Sequence, residues 1–302
     1  MKTLSGGICW EKLTERRMKN PKALENYGYK VYSQNDEDGI IHEIFKRIGT
    51  TTKEFIEFGV QNGLESNCHL LLFEGWKGLW IEGGGAYCEE IKMRFRPVIN
   101  KDQLRIANCF ITRENIEELL DQYAFSMNPD FLSIDIDGND WHVWNAIKKC
   151  NPRVVCIEYN AKFPPYMEWV MAYDEAYVWN GSDCQGASLK SMQLLGESKG
   201  YQLVATNLQG VNAFFVRKDL INEDFLNLHT SEELYNPLQA DLKIFSPGHP
   251  AEFCLACNKE GPIWQNYFEN FTEYKKYVRA KKLSRIPIFK IAQSIKRNLK
   301  WL

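Results

Sequence analysis

The stretch FIEFGVQNGLESN, residues 55–67, joins a short apolar run to a loop that contains two glycines. The run is rich in aromatic and β-branched residues and ends at Gly59, which is typical of a strand that leads into a tight turn. The following segment, ESNCHLLLFEGW, has the apolar spacing of a helix. We therefore interpret residues 54–75 as strand, tight loop and helix, the opening unit of an α/β domain.

Similar strand and helix patterns alternate along the rest of the chain. Four more predicted strands follow, with helical segments between them: KGLWIEGG, QLRIANCFIT, PDFLSIDIDGND and PRVVCIEYN. The segments YQLVATN and NAFFVRK then predict a closing hairpin. The fold class that we predict is α/β, a doubly wound, mostly parallel, Rossmann-like seven-stranded sheet with a terminal antiparallel hairpin.

The composition suggests three parts of the chain. We predict an entry segment over residues 1–30, a ligand-binding domain over 31–220, and an extension over 221–302 that ends in a basic amphipathic helix. From residue 271 onward, ten basic residues stand against one acidic residue. Residues 275–302 could contact an anionic membrane surface, or dock on the chain's own acidic body or on a dimer mate. The sequence leaves these alternatives open.

Charge and apolar patterning exclude several classes of protein. The net charge is −2, so the chain outside the basic segment is acidic, which argues against a general nucleic-acid binder. The first twenty residues have no apolar signal-peptide core, and no run is long enough to span a bilayer. The nine scattered cysteines, including the pair Cys254 and Cys257, suit free thiols. We expect a cytoplasmic protein, with the basic segment able to reach the inner face of the membrane.

Polar side chains follow each of the five predicted parallel strands. Ligands of such sheets bind beyond the carboxyl ends of the strands, so these side chains are the candidate site. The polar residues are Glu57, Asn62, Glu82, Asn108, Asp135, Asp137, Glu158 and Asn160, and the loop glycines Gly59 and Gly63 belong to the same candidate site.

The loop after the first strand predicts the kind of ligand. A pyrophosphate site wants a G-x-G-x-x-G spacing, which this loop lacks, and Glu57 would repel phosphate. A ligand with a cationic end and no phosphate fits better, and S-adenosylmethionine is such a ligand. Glu82, at the end of the second strand, could accept hydrogen bonds from its ribose hydroxyls. Asn108, after the third strand, could contact its adenine.

Several segments resemble a known family, among them YSQNDEDGII, FIEFGVQNGLESN, GWKGLWIEGG and FLSIDIDGNDWHVWNAI. Together they resemble class I S-adenosylmethionine-dependent methyltransferases of the FkbM-like kind found in bacterial polysaccharide biosynthesis. The resemblance spans residues 30–220 and implies that Glu57, Gly59 and Gly63 line the methionine end and that Glu82 binds the ribose. The full predicted cofactor-binding set is Gln34, Glu57, Gly59, Asn62, Gly63, Asn67, Glu82, Asn108 and Asp135.

Two mechanisms fit the acidic residues after the fourth and fifth strands. In one, Asp135 or Asp137 acts as general base or orients the acceptor hydroxyl, with His142 taking the proton. In the other, Asp135 or Asp137 joins Glu158 and Asn160 to hold Mg²⁺ through oxygen ligands, which would lower the pKa of a bound hydroxyl. The second arrangement resembles metal-dependent O-methyltransferases.

The sequence thus favours an O-methyltransferase that acts on a sugar or sugar-linked hydroxyl in capsular or other surface polysaccharide biosynthesis. Its expected acceptor is a saccharide or sugar nucleotide. Two alternatives from other classes are a dinucleotide-dependent Rossmann oxidoreductase or epimerase, and a non-catalytic, membrane-associated assembly protein. Nicotinamide binding would favour the first of these, and absence of turnover would favour the second.

Overall fold

The computed structural model describes residues 10–179 and 183–238. In this part of the chain, seven strands form one sheet. The strands are β1 (Glu54–Phe58), β2 (Lys77–Glu82), β3 (Leu104–Asn108), β4 (Phe131–Ile134), β5 (Val154–Glu158), β6 (Tyr201–Thr206) and β7 (Asn212–Arg217). All of the predicted strands are therefore present, including the pair that closes the sheet.

Helices separate most of the strands. They are α1 (Trp10–Met18), α2 (Glu37–Ile48), α3 (His69–Phe73), α4 (Gly85–Arg94), α5 (Arg96–Ile99), α6 (Ile116–Tyr123), α7 (Asp140–Ala146), α8 (Leu189–Ser198) and α9 (Ser231–Leu234). The helix α2 illustrates why these segments are helical: Ile40, Ile41 and Ile44 recur at helical spacing and form one buried stripe. It ends before Gly49, whose positive φ of 68° an L side chain rarely adopts.

The order of strands in the sheet is β3-β2-β1-β4-β5-β7-β6. Every neighbouring pair from β3 to β5 is parallel, whereas β7 runs antiparallel to both β5 and β6. The predicted fold class is confirmed. The order reverses between β1 and β4, so the crevice for a ligand is expected beyond the carboxyl ends of those two strands.

The register fixes which side chains share a face of the sheet. Glu57 lies opposite Ser133, and Ser133 lies opposite Cys156, so all three point to the same face. That face packs against α2 and α3 through buried residues such as Phe55, Trp80 and Phe131. The other face packs against α6, α7 and α8 in a second core. Polar groups at the end of the first face therefore meet the amino end of α2.

Some local predictions need correction. The helices α3 and α7 are shorter than their apolar patterns indicate, because each ends once its chain must turn into the next strand or loop. The strand β4 ends at Ile134, so Asp135 and Asp137 lie in the following turn and not in the strand. Asp137 has a positive φ of 55°, so the extended conformation of β4 does not continue to it.

Other predictions fall at the edge of the description. The chain divides into the units Met1–Glu252 and Phe253–Leu302. The predicted basic helix and the Cys254–Cys257 pair lie outside the described residues. Within the described part, six cysteines are free thiols, as expected. No helix in that part is both long and apolar enough to cross a bilayer.

Candidate active site

A cavity of about 300 Å³ opens at the carboxyl edge of the sheet, where the strand order reverses. Among the residues that the structure describes, five acidic side chains and one basic side chain, Lys162, line it. The acidic residues are Glu57, Glu65, Asp135, Asp137 and Glu158. Lys162 itself pairs with Asp183 at 2.9 Å, so its charge is largely neutralised. The cavity therefore favours a ligand group that carries positive charge.

The loop after β1 approaches the loop after β4 closely at Gly59. This residue has a φ of 72°, and a Cβ placed on it would lie 1.7 Å from the carbonyl oxygen of Asp135. Only glycine fits both the conformation and the space. The glycine that the sequence pattern singled out thus brings the β1 loop against the acidic turn after β4.

Glu57 anchors the loop after β1. Its two carboxylate oxygens accept hydrogen bonds from the Ser66 hydroxyl (2.6 Å), the backbone N–H groups of Asn67 (2.7 Å) and Cys68 (3.2 Å), and the indole of Trp80 (3.0 Å). Burial raises the pKa of Glu57, and these donors oppose that rise. Although Glu57 lines the cavity, most of its hydrogen-bonding capacity goes to its own loop.

Glu82 has a similar arrangement at the end of β2. One oxygen accepts from the Gln61 N–H and the other from the Gly84 N–H, each at 2.7 Å. Its carboxylate therefore ties the β1 loop to the β2 loop. Asn108 donates to the carbonyl oxygens of Glu82 and Gly83, so it supports the same turn. Neither Glu82 nor Asn108 lines the cavity of 300 Å³.

Three carboxyl groups crowd together beyond β4 and β5. One oxygen from each of Asp135, Asp140 and Glu158 lies within 4.8 Å of the other two. Loss of water and the neighbouring carboxylates raise the pKa of Asp135 and of Glu158 well above their ordinary values. Burial also raises the pKa of Asp140 to about 6, although its oxygens accept from the Ile136 and Gly138 N–H groups. We call Asp135, Asp140 and Glu158 the carboxylate cluster.

The predicted metal ligands only partly match this cluster. Glu158 belongs to it, but Asp137 lies outside it on an exposed turn. Asn160 donates to the carbonyl oxygens of Asp183 and Gln185, and its own side-chain oxygen accepts from the Lys162 N–H. Asn160 therefore shapes the 183–185 loop. Of the two aspartates expected beside Glu158, the structure brings Asp135 to it, and Asp140 joins them.

More polar groups reach the same edge from the amino end of α2. The buried Glu37 accepts hydrogen bonds from the side-chain amides of Asn207 (2.7 Å) and Asn212 (3.0 Å). Asp36 accepts only a long bond of 3.3 Å from the Leu208 N–H. Burial, with Glu37 beside it, raises the pKa of Asp36 to about 7. This edge of the molecule therefore holds more buried acid than it holds cationic partners.

The predicted site residues separate into two groups. Those that line the cavity are Gln34, Glu57, Gly59, Asn62, Asn67, Asp135, Asp137, Glu158 and Asn160. Those outside it are Gly63, Glu82, Asn108 and His142. The ring of His142 contacts the carbonyl oxygen of Met171 at 2.8 Å, and burial lowers its pKa. The structure therefore does not bring His142 to the carboxyl groups that it was predicted to assist.

Sequence reasoning missed several members of the site. Asp140 belongs to the carboxylate cluster although it begins α7, and Asn212 enters at the start of the antiparallel β7. Gln185 and Trp179 come from the long connection after β5. Asp140 lies in the segment PDFLSIDIDGND, after the fourth strand, which the sequence pattern did single out. The rule that selects residues after parallel strands does not select Asn212, which begins an antiparallel strand, or Trp179 and Gln185, which lie far along a connection.

Comparison with protein-family models finds no match, and comparison with curated protein sequences finds none either. Solved structures similar to this chain include an O-methyltransferase from Bacillus cereus in complex with SAH, with 12% identity, 68% of this chain and 87% of that chain covered, and a TM-score of 0.39. Another is the N-terminal domain of EvdMO1 with SAH bound, with 12% identity, 69% and 95% covered, and a TM-score of 0.36. A third is the methyltransferase domain of bacterial CtHen1-C, with 13% identity, 59% and 95% covered, and a TM-score of 0.38.

Proposed function

We propose that this protein is an S-adenosylmethionine-dependent O-methyltransferase. The observation that carries the proposal is the acid-lined cavity at the point where the strand order reverses. S-adenosylmethionine brings an ammonium and a sulfonium to its binding site, and carboxylates such as Asp135 and Glu158 stabilise such charges. The sequence resemblance implies the same family, through segments that include residues of this cavity.

The cavity fits a dinucleotide poorly. A pyrophosphate needs backbone N–H groups or cations around it. Here the lining offers five carboxylates, and its one lysine pairs with Asp183. The N–H groups of Asn67 and Cys68 already donate to Glu57. An oxidoreductase or epimerase is therefore the weaker candidate.

The carboxylate cluster supplies the acid–base chemistry that methyl transfer needs. When bound, S-adenosylmethionine supplies an activated methyl group, so the protein must align the acceptor hydroxyl and take its proton. Asp135 and Glu158 line the cavity and belong to one titrating cluster. Burial and the neighbouring carboxylates raise the pKa of both groups, which makes each carboxylate a stronger base than an exposed one. We assign the proton acceptor to this pair.

We further propose that the acceptor is a saccharide or sugar nucleotide. Trp179 lines the cavity with 38% of its surface exposed. Asn62, Asp137 and Gln185 add polar groups around the same opening. An aromatic face with polar neighbours suits a sugar ring, which presents both C–H and O–H groups.

A methyl-transfer assay tests the proposal. Incubation with S-adenosylmethionine labelled on its methyl group and a panel of sugar nucleotides and oligosaccharides should give labelled product. Asp135→Asn should abolish transfer, while Glu65→Gln, at the exposed rim of the same cavity, should leave it largely unchanged. Equal turnover by wild type and Asp135→Asn would contradict the role of the cluster. Oxidation or epimerisation of a sugar nucleotide with NAD⁺ would contradict the function.

We also propose a role in surface-polysaccharide assembly, which rests on the sequence resemblance.

We propose in addition that residues 275–302 contact an anionic membrane. The support for the membrane contact is the excess of basic residues in the sequence. Truncation before Lys281 should release the protein from anionic vesicles and leave cofactor affinity unchanged. Vesicle binding that survives the truncation would contradict the proposed contact.

A further inference from the structure

We propose that the part of the cavity formed by Glu158, Gln185 and Asn212 binds a protonated amino group of the acceptor, which makes the acceptor an amino sugar. We call these three residues the amine subsite. The place of the amine in methyl transfer rests on the proposed function, but its binding does not.

The amine subsite lies where β7 pairs with β5. Asn212 lies directly opposite Glu158, and opposed residues of an antiparallel pair point to the same face. Gln185 lines the same cavity from the connection after β5. The β1 loop meets the cavity elsewhere, at Gly59, where it closely approaches the carbonyl oxygen of Asp135. The amine subsite therefore belongs to different elements from the loop to which we assign the cofactor.

Two buried amide oxygens of the subsite have no partner in the described part of the chain. There, the Oδ1 atom of Asn212 and the Oε1 atom of Gln185 accept no hydrogen bond. Asn212 is 2% exposed and Gln185 is 8% exposed. The amide nitrogen of Asn212 donates to Glu37 at 3.0 Å, which fixes the amide and identifies its oxygen as the acceptor that is left. Because buried polar atoms nearly always have a partner, these oxygens indicate a ligand that donates hydrogen bonds.

Hydrogen-bond donors beside the subsite are already committed to the fold. The side-chain oxygen of Asn207 accepts from the N–H groups of Val211 (2.8 Å) and Asn212 (2.9 Å). The carbonyl oxygen of Asn207 accepts from the Gly210 N–H at 3.1 Å. The side-chain amide of Asn160 donates to two carbonyl oxygens of the connection after β5. A phosphate or carboxylate at the subsite would therefore compete with the fold for these donors, whereas a cation would not.

The charge of the cavity favours a cation at the same place. Lys162 is the one basic residue among the described residues of the lining, and it pairs with Asp183 at 2.9 Å. One oxygen of Glu158 lies within 4.8 Å of an oxygen of Asp135 and of Asp140. A positive charge beside Glu158 would stabilise these crowded carboxyl groups, which a neutral hydroxyl would not do.

A protonated amine matches the subsite in the number and kind of its hydrogen bonds. It carries three N–H donors and one positive charge, and it accepts no hydrogen bond. The subsite offers one carboxylate and two amide oxygens, so each N–H group can meet one side chain. Hydrogen bonds between an ammonium and a carboxylate are stronger than those between neutral groups. An amino sugar combines such an amine with a hydroxyl, whose proton Asp135 is then left to accept.

A pair of matched sugars tests the proposal by ligand-observed NMR titration of the purified full-length protein. D-glucosamine and N-acetyl-D-glucosamine share their ring hydroxyls, but only the first carries an amine that is largely protonated near neutral pH. A chelator is present throughout, because a divalent ion at the carboxylate cluster would occupy Glu158. Glucosamine should bind the wild type about tenfold more tightly than N-acetylglucosamine. Equal affinities, or no binding of either sugar, would overturn the proposal.

Variants of the subsite locate the binding of the amine. Glu158→Gln keeps the size of the side chain but removes its charge, so the affinity for glucosamine should fall by about tenfold. Glu65→Gln should keep the wild-type affinity, because Glu65 lines the same cavity outside the subsite and pairs with Lys30.

Gln185 provides a second test in case Glu158→Gln does not fold. Gln185→Leu removes an oxygen acceptor and should lower the affinity for glucosamine by about fivefold, whereas Gln185→Glu keeps an oxygen and should retain it. Wild-type affinity for glucosamine in folded Glu158→Gln or in folded Gln185→Leu would overturn the proposal.

The same titrations, with and without S-adenosylhomocysteine, separate the amine subsite from the proposed function. Binding of S-adenosylhomocysteine by a protein that does not prefer glucosamine would leave the methyltransferase proposal intact and remove the amine subsite. Preference for glucosamine in a protein that does not bind S-adenosylhomocysteine would support the subsite and contradict the proposed function.

Discussion

Two groups of carboxylates lie at the same edge of the sheet, one buried and one half-buried, and their surroundings differ. Glu57 and Glu82, after β1 and β2, accept hydrogen bonds from backbone N–H groups of the loops beside them. Asp135 and Glu158, after β4 and β5, have mainly other carboxyl groups as neighbours. Carboxylates therefore stabilise loops on one side of the crevice, whereas on the other side they lie mainly beside one another.

The difference changes how strand-end acids are interpreted. A carboxylate that accepts four hydrogen bonds, as Glu57 does, contributes to folding, and its removal exposes unpaired donors. A carboxylate that is crowded by others opposes folding unless a proton, a cation or a ligand neutralises it. Substitutions by the isosteric amide should thus have opposite signs in the two groups.

The largest effect is expected at Glu57. In Glu57→Gln an NH₂ group would face donors that now bond to an oxygen, which should reduce the free energy of unfolding by about 3 kcal/mol. Urea denaturation of the variant and of Glu89→Gln, an exposed control on α4, would measure this loss. A loss below about 1 kcal/mol would show that Glu57 does not hold its loop.

An intermediate effect that depends on pH is expected at Asp36. Its pKa is about 7 in the folded protein and near 4 in the unfolded chain, so the folded state binds the extra proton. The stability linked to this proton is fully present below pH 4 and is lost as the pH rises through 7. Asp36→Asn cannot ionise, so its stability relative to wild type should increase by about 2 kcal/mol between pH 5 and pH 8. Parallel pH profiles of the two proteins would contradict the raised pKa.

A smaller effect of opposite sign is expected at Glu158. In the presence of a chelator, Glu158→Gln should raise the free energy of unfolding by about 1 kcal/mol, because it removes one of three crowded charges. Added Mg²⁺ should then stabilise the wild type and leave the variant unchanged. Thermal denaturation with and without Mg²⁺ measures both terms. If Glu158→Gln is less stable than the wild type in chelator, Glu158 stabilises the fold as Glu57 does, and the proposed difference between the two groups is wrong.

The sequence predicts the fold well because its signals are local. Alternating apolar runs locate β1 to β5. Polar residues precede the start of α2, and Gly49 follows its end. Helix ends are less accurate, since α3 and α7 stop where tertiary connections require it. The strand-end rule also selects Asp135 and Glu158 for the cavity.

The rest of the site depends on contacts that a linear sequence does not contain. The hydrogen bonds to the Glu57 carboxylate come from its own loop and from Trp80 on β2, and the sequence did not predict them. Asn212 lies opposite Glu158 only because β7 inserts beside β5. His142 lies two residues after Asp140, yet the turn of α7 directs it to Met171. Proximity in sequence therefore does not bring His142 to the carboxylate cluster, and it gives no sign of Asn212.

The most direct test of the central claim is isothermal titration of the purified protein with S-adenosylhomocysteine, with NAD⁺ as the competing ligand. The acid-lined crevice predicts binding of S-adenosylhomocysteine, no binding of NAD⁺, and loss of binding in Glu82→Ala, which removes the link between the β1 and β2 loops. Preference for NAD⁺, or no binding of S-adenosylhomocysteine by the folded wild type, would contradict the methyltransferase account.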